Sequence, residues 1–281
     1  MNPQYVKVES IEALLNQLAT PGAMILCGGT DLLVKMRSGI VSPEILLDIS
    51  DLKALRKVQE TKDRILIGAA VTEAELLRSP LIRKHLPLLS EVLLKLGSVQ
   101  IRNRGTLGGN LANASPAADS AVPLLLYDAE VLLSGANGDR SLRVEDFLLG
   151  PGKTALTKGE FIHKISIPIP RSKFSPFFHK VGRRKALTIA ISSVGALLRT
   201  HRGSIQEARL AAGSVAPTPL RLRRVEERIT GRKLTPTLIE EAKALTAESI
   251  TPIDDVRASA AYRRDVTADL VAELLEGAPR A

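Results

Sequence analysis

Two glycine-rich segments carry the residue types best suited to chemistry in this chain. Cys27-Gly28-Gly29-Thr30-Asp31-Leu32 follows a short apolar run directly; Thr106-Leu107-Gly108-Gly109-Asn110 continues through Asn113, Ser115, Pro116 and Asp119. Paired glycines let a backbone turn sharply and bring its N–H groups close to an oxyanion, which side chains would block. Thr30, Thr106 and Ser115 add hydroxyl donors, and Asn110 and Asn113 add amide ones. Two such loops from distant parts of the chain could clasp a pyrophosphate from both sides. Neither matches GxGxxG or GxxxxGK[ST]. A lone Gly-Gly after a strand is explained by a turn alone. The second segment is more specific, because so many consecutive polar and Gly residues serve no packing purpose; an irregular surface loop is the competing reading.

The elements that must position these loops follow from periodicity. Ser10 caps a helix whose apolar face is Ile11, Leu14, Leu15 and Leu18, ended by Pro21-Gly22. Short strands are expected from Ala23 to Cys27, Ile45 to Ile49 and Arg64 to Val71. Thr72 with Glu75 is a capping box that starts a short helix closed by Pro80, and Pro87 splits the helical pattern of Leu81 to Leu96 into two pieces. Residues 97–119 lose all periodicity and are expected to be irregular. Strands resume at Glu130 to Ser134 and Glu160 to Ile167. Pro168 to Pro176 reads as a linker. Beyond it, Phe177 to Val181, Ile189 to Thr200 and Ser204 to Ala212 read as strands, the last two joined by an Arg202-Gly203 hairpin turn. Helices from Thr235 (as cap) to Ser249 and from Asp265 to Glu276 close the chain. Alternating strands and helices with short connections point to an α/β or α+β fold.

Composition excludes several function classes. The 281 residues suffice for two ordinary domains, and no apolar stretch approaches the roughly 18–20 residues of a membrane span. With no signal-like N-terminus, a soluble cytoplasmic protein is expected. The single cysteine, Cys27, cannot form an intrachain disulfide or ligate an iron–sulfur cluster, which takes about four. His85, His163, His179 and His201 are scattered and form no metal-ligand spacing. A formal charge of +9 raises the question of nucleic acid, with basic clusters at Arg183-Arg184-Lys185 and at Arg221, Arg223 and Arg224. Yet aromatics are only 3% of the chain, too few for base stacking, so solvated faces explain most of these charges.

Gly28-Gly29-Thr30-Asp31-Leu32 and the run from Gln100 to Asp119 resemble the FAD-binding subunits of the xanthine dehydrogenase and carbon monoxide dehydrogenase family. The phrase from Lys180 to Leu187 is similar to the xanthine- and nicotinate-type members more than to the carbon monoxide branch. The resemblance implies an α+β fold: a PCMH-type FAD-binding domain of two subdomains over residues 1–172, then a smaller C-terminal α+β domain over 173–281. It implies FAD contacts from Leu26, Cys27, Gly28, Gly29, Thr30, Asp31, Leu32 and Leu33, and from Thr106, Gly109, Asn110, Ser115 and Asp119. Ile162 matches a position that packs on the cofactor, and Lys180 a basic residue near the flavin. A histidine that can link covalently to flavin in the wider superfamily is replaced by Thr30, so non-covalent FAD is expected. No catalytic acid, base, nucleophile or metal site is expected in this chain. Members of the family pass electrons from 2Fe–2S clusters of a small subunit, reduced by a molybdopterin large subunit, to an acceptor such as NAD. The implied assembly is a heterotrimer, its dimerisation left open, with no nucleic acid and no membrane span. A stand-alone flavin oxidoreductase with its own substrate site is the alternative.

Overall fold

The structure, a computed structural model, describes residues 3–184 and 187–278, so Lys185 and Ala186 of the second-domain phrase lie outside the described residues. The chain folds into two compact units that are not simply its two halves. One comprises residues 1–84, 98–114 and 129–169; the other comprises 85–97, 115–128 and 170–281.

The first unit holds two sheets. Gln4–Lys7, Ile45–Asp48 and Ala23–Leu26 form a parallel sheet in that order, with Tyr5 opposite Leu46 and Met24 opposite Leu46 on the other side. Parallel neighbours need crossovers, and the helices Ile11–Leu18 and Leu32–Arg37 supply them. Ser10 caps the first of these, its hydroxyl accepting from the Ala13 N–H at 3.0 Å. Leu14, Leu47, Leu55 and Phe161 sit in the apolar cluster beneath, all essentially without exposure. The second sheet is antiparallel, in the order Val58–Glu60, Arg64–Gly68, Phe161–Pro168, Glu130–Gly135 and Gly138–Arg143. A bulge leaves His163 unpaired between the Ile162–Leu133 and Lys164–Leu132 pairs.

The second unit is built on an antiparallel sheet in the order Ser175–Val181, Ser192–His201, Ser204–Gly213 and Leu220–Arg221. Arg202 and Gly203 both take positive φ, 49° and 75°, the turn whose twist matches a tight hairpin. The helix Ala121–Leu126 lies close on this sheet, because a Cβ on Gly195 would come within 2.7 Å of Val122. Arg223–Ile229, Pro236–Ser249 and Ala260–Glu276 also pack on this unit's core, around Val194, Leu210, Val225 and Leu274.

The expectation of an irregular stretch over 97–119 is wrong. It contains two short helices, Val99–Arg104 and Leu107–Asn113, capped by Ser98 and Thr106. The hydroxyl of each cap accepts the N–H three residues on, at 3.2 and 3.0 Å. The low propensity of glycine and asparagine hides such helices from periodicity, while the caps announce them. Pro80 opens a helix, Pro80–His85, as well as following one. The last helix begins at Ala260 rather than Asp265, capped by Ser259. Arg221 does not belong to a solvated basic face: it is inside, bonded to Asp128 at 3.1 Å and Glu226 at 2.6 Å.

Candidate functional site

The two glycine loops come together in the first unit. Gly28 stands against the backbone of the second loop so closely that a Cβ on it would lie 2.1 Å from the Arg104 carbonyl oxygen. Asn113 ties the loops laterally: its amide donates to Asp31 at 3.1 Å, and its carbonyl accepts from the Lys35 ammonium at 2.6 Å. Asn113 is therefore a brace between loops rather than a free amide donor. Thr72 and Thr106 pair as an isolated β-bridge, and Glu73 donates its N–H to the Gly105 carbonyl at 2.9 Å. The capping box read at Thr72 and Glu75 is present in full, so the helix Glu73–Arg78 buttresses the second loop from below.

The glycines divide into two kinds. Gly28 and Gly108 are packing glycines, the latter 2.6 Å, through a Cβ, from the Ala69 carbonyl oxygen. Gly109 is exposed, and a Cβ there would meet only its own cap, Thr106 Oγ1, at 2.9 Å. Gly29 has φ +75°, a left-handed conformation that turns the first loop. Among the described residues no acceptor takes the N–H groups of Gly29, Thr30, Asp31, Leu32, Leu107 or Gly108. Several backbone donors on two adjoining loops, beside a glycine whose outer face is open, fit a diphosphate.

Cys27 faces Thr106 with its thiol, and burial pushes its pKa up, so it stays protonated at neutral pH. Its side chain is half-buried at the start of the first loop. Leu26 ends the edge strand Ala23–Leu26, Leu32 is half-buried and Leu33 is exposed at 46%. Asn110 donates its N–H back to the Thr106 carbonyl at 2.9 Å, as a helical residue does. Ile162 is buried in the strand Phe161–Pro168 of the same unit.

Ser115, Asp119 and Lys180 belong to the second unit. Ser115 accepts from the Ala117 N–H at 3.2 Å, opening a turn. Asp119 and the Lys180 ammonium form a short ion pair, with side chains only 6% and 7% exposed. Lys180 also donates to the Lys95 carbonyl at 3.4 Å. Burial pushes the Asp119 carboxyl above the usual carboxylate range, against the pull of Lys180. Its Oδ1 is buried and has no hydrogen-bond partner among the described residues. Sequence reasoning named both residues but not their partnership.

Residues 1–170 match the FAD binding domain in molybdopterin dehydrogenase, and residues 177–278 match the CO dehydrogenase flavoprotein C-terminal domain. The chain belongs to the FAD-binding medium-subunit family of the molybdenum hydroxylases. Its relatives span several substrates. The glyceraldehyde dehydrogenase medium chain of Sulfolobus acidocaldarius is 33% identical over 93% of each chain. The xanthine dehydrogenase FAD-binding subunit of Escherichia coli O157:H7 is 31% identical over 92% of this chain and 90% of its own. The solved carbon monoxide dehydrogenase from Hydrogenophaga pseudoflava matches with a TM-score of 0.92 and 29% identity, over 97% of this chain and 96% of that one. This medium subunit is thus an oxidoreductase flavoprotein with FAD as cofactor, and its α+β fold is that of its family. Among the described residues no group of His, Cys, Asp and Glu could hold a metal ion, and no helix is long and apolar enough to cross a membrane.

Proposed function

We propose that this chain is the flavin electron relay of a heterotrimeric molybdenum hydroxylase. It would take electrons from 2Fe–2S clusters on a small subunit, reduced in turn by a molybdenum-cofactor large subunit, and deliver them to an acceptor such as NAD. The observation that carries the reading is the pair of braced loops with unclaimed backbone donors. FAD, when bound, supplies exchange between one-electron and two-electron carriers, chemistry no side chain here could perform. The residues of the chain bind and orient it. Leu26 to Leu33 and Thr106, Gly109 and Asn110 hold the diphosphate and Ile162 offers an apolar wall; the family resemblance adds Ser115, Asp119 and Lys180 to the contact set. A residue range of 1–172 for the FAD domain and 173–281 for the C-terminal domain goes with this assignment. The phrase from Lys180 to Leu187 favours a xanthine- or nicotinate-type complex, although identities to aldehyde and purine relatives lie within a few per cent of each other.

Thr30 stands where a covalent histidine link would form, so FAD is held without a covalent bond. Acid precipitation of the FAD-loaded chain tests this. All flavin is expected in the supernatant. Flavin in the washed pellet would contradict it, and a chain left colourless after FAD loading would remove the flavoprotein assignment itself.

A further inference from the structure

A surface helix normally hides an apolar stripe against the fold. The helix Leu32–Arg37 does not: four of its six side chains are apolar, and none is buried. Val34 is 63% exposed, and Ile40, just beyond the helix, is 71% exposed. The chain is held in place there, because the Ile40 N–H donates back to the Lys35 carbonyl at 2.9 Å.

The hairpin of Leu148–Gly150 and Lys153–Thr154 shows Leu149 to solvent in the same way, at 63%. Helix and hairpin border the same two residues. Asn113 accepts from the Lys35 ammonium at 2.6 Å, and the Ala114 carbonyl accepts from the Gly152 N–H at 3.0 Å. Single exposed apolar residues need no explanation, but three on hydrogen-bonded elements around one helix end mark an interaction surface. The same elements carry Arg37 and Lys153, both exposed and neither in an ion pair among the described residues. Asp31, the acidic group at the start of the helix, is tied to the Asn113 amide at 3.1 Å.

An apolar centre with a cationic rim fits a protein partner that is apolar at its contact and negative around it. The helix starts at the first glycine loop, with Asp31 as its N-cap, so a partner seated here stands beside the cofactor loop. Electron transfer weakens steeply with distance, and a 2Fe–2S centre held by cysteine thiolates is an anion. We propose that Val34, Ile40 and Leu149, rimmed by Arg37 and Lys153, form the surface on which the 2Fe–2S subunit docks. The inference rests on the relay reading above and adds to it the place of contact.

The test is biosensor kinetics of the FAD-loaded full-length chain with the 2Fe–2S subunit recovered with it from the native source. Val34→Asp, Ile40→Asp and Leu149→Asp are each expected to weaken binding at least about tenfold. Arg37→Glu combined with Lys153→Glu should slow association and flatten its salt dependence. Ile253→Asp, at a side chain 70% exposed on the second unit, is the control and should stay within about twofold of wild type. All these side chains are exposed, so each variant should keep the flavin content and melting temperature of wild type. Wild-type affinity in the three apolar variants would overturn the proposal, as would an equal loss in Ile253→Asp. Losses confined to binding of the molybdenum subunit, or to self-association of the chain, would overturn it too. A native chain recovered without any 2Fe–2S subunit would instead overturn the relay reading on which the proposal rests.

Discussion

Replacing Gly28 with alanine should separate the two glycine loops. The added Cβ would lie 2.1 Å from the Arg104 carbonyl oxygen, 2.7 Å from its carbon and 3.1 Å from Gly105 Cα. Contacts of this kind normally sit near 3.5–4.0 Å, so the loops must part by more than about 1 Å. Overpacking typically costs about 1–3 kcal/mol. All three neighbours here are backbone, so no flexible side-chain tip can move aside and the cost lies at about 3 kcal/mol or more. For a chain of this size that is a fall in Tm of roughly 6–12 °C. Gly28 does not have a positive φ, so the penalty is steric rather than conformational. Gly150→Ala is the matched control, because nothing lies within 4 Å of its Cβ and its φ is also not positive. Thermal denaturation and FAD titration of both variants provide the assay. Gly28→Ala should lose stability and at least tenfold in FAD affinity, with Gly150→Ala near wild type. A Gly28→Ala chain that melts within about 2 °C of wild type and binds FAD normally would refute the close apposition of the loops.

Two further perturbations probe the charges. The Arg140 guanidinium, with the Thr157 N–H, holds the Glu160 carboxyl down to about 2 from 4.5. A depressed carboxyl contributes stability that is fully present above its unfolded pKa and lost as pH falls through the folded one, here between about pH 4.5 and pH 2. Arg140 is 39% exposed, so screening reduces this to about 1 kcal/mol. In urea denaturation, Glu160→Gln should trail wild type by that amount at pH 6 and converge with it near pH 2; a gap independent of pH would contradict the assignment. Asp119→Asn leaves the Lys180 ammonium buried without its counter-ion and should cost about 3 kcal/mol. Adding Lys180→Met should restore part of the loss, whereas a fully tolerated single variant would show that the pair is not buried.

Much of this architecture was legible in sequence where a local rule applied. The Ser10 cap, the Thr72–Glu75 capping box, the break at Pro87 and the Arg202-Gly203 hairpin each rest on a few residues and a known geometry, and all are present. The same logic failed over 97–119. Glycine and asparagine there argue against helix by propensity, yet Ser98 and Thr106 cap two helices whose first turns serve the loop. Tertiary position overrode propensity. The glycine loops were visible as types and spacing, but their function as packing or open glycines depends on what lies opposite, which no spacing encodes. Asp128 sits between Arg209 and Arg221, partners 81 and 93 residues away, and Asn113 likewise braces a loop 82 residues distant. Long-range pairs of this kind leave no periodic trace.

The relay assignment makes one demand that no structural role would: the chain must be reducible by substrate only through its partners. On the proposed relay reading, the centres that oxidise a purine or a pyridine lie on partner subunits. Rapid-mixing absorbance of the FAD-loaded chain with xanthine or nicotinate, alone and after addition of the proposed molybdenum and iron–sulfur subunits, measures this directly. Flavin bleaching is expected only in the reconstituted mixture. Substrate-driven bleaching of the lone chain would contradict the account and identify a stand-alone flavin oxidoreductase.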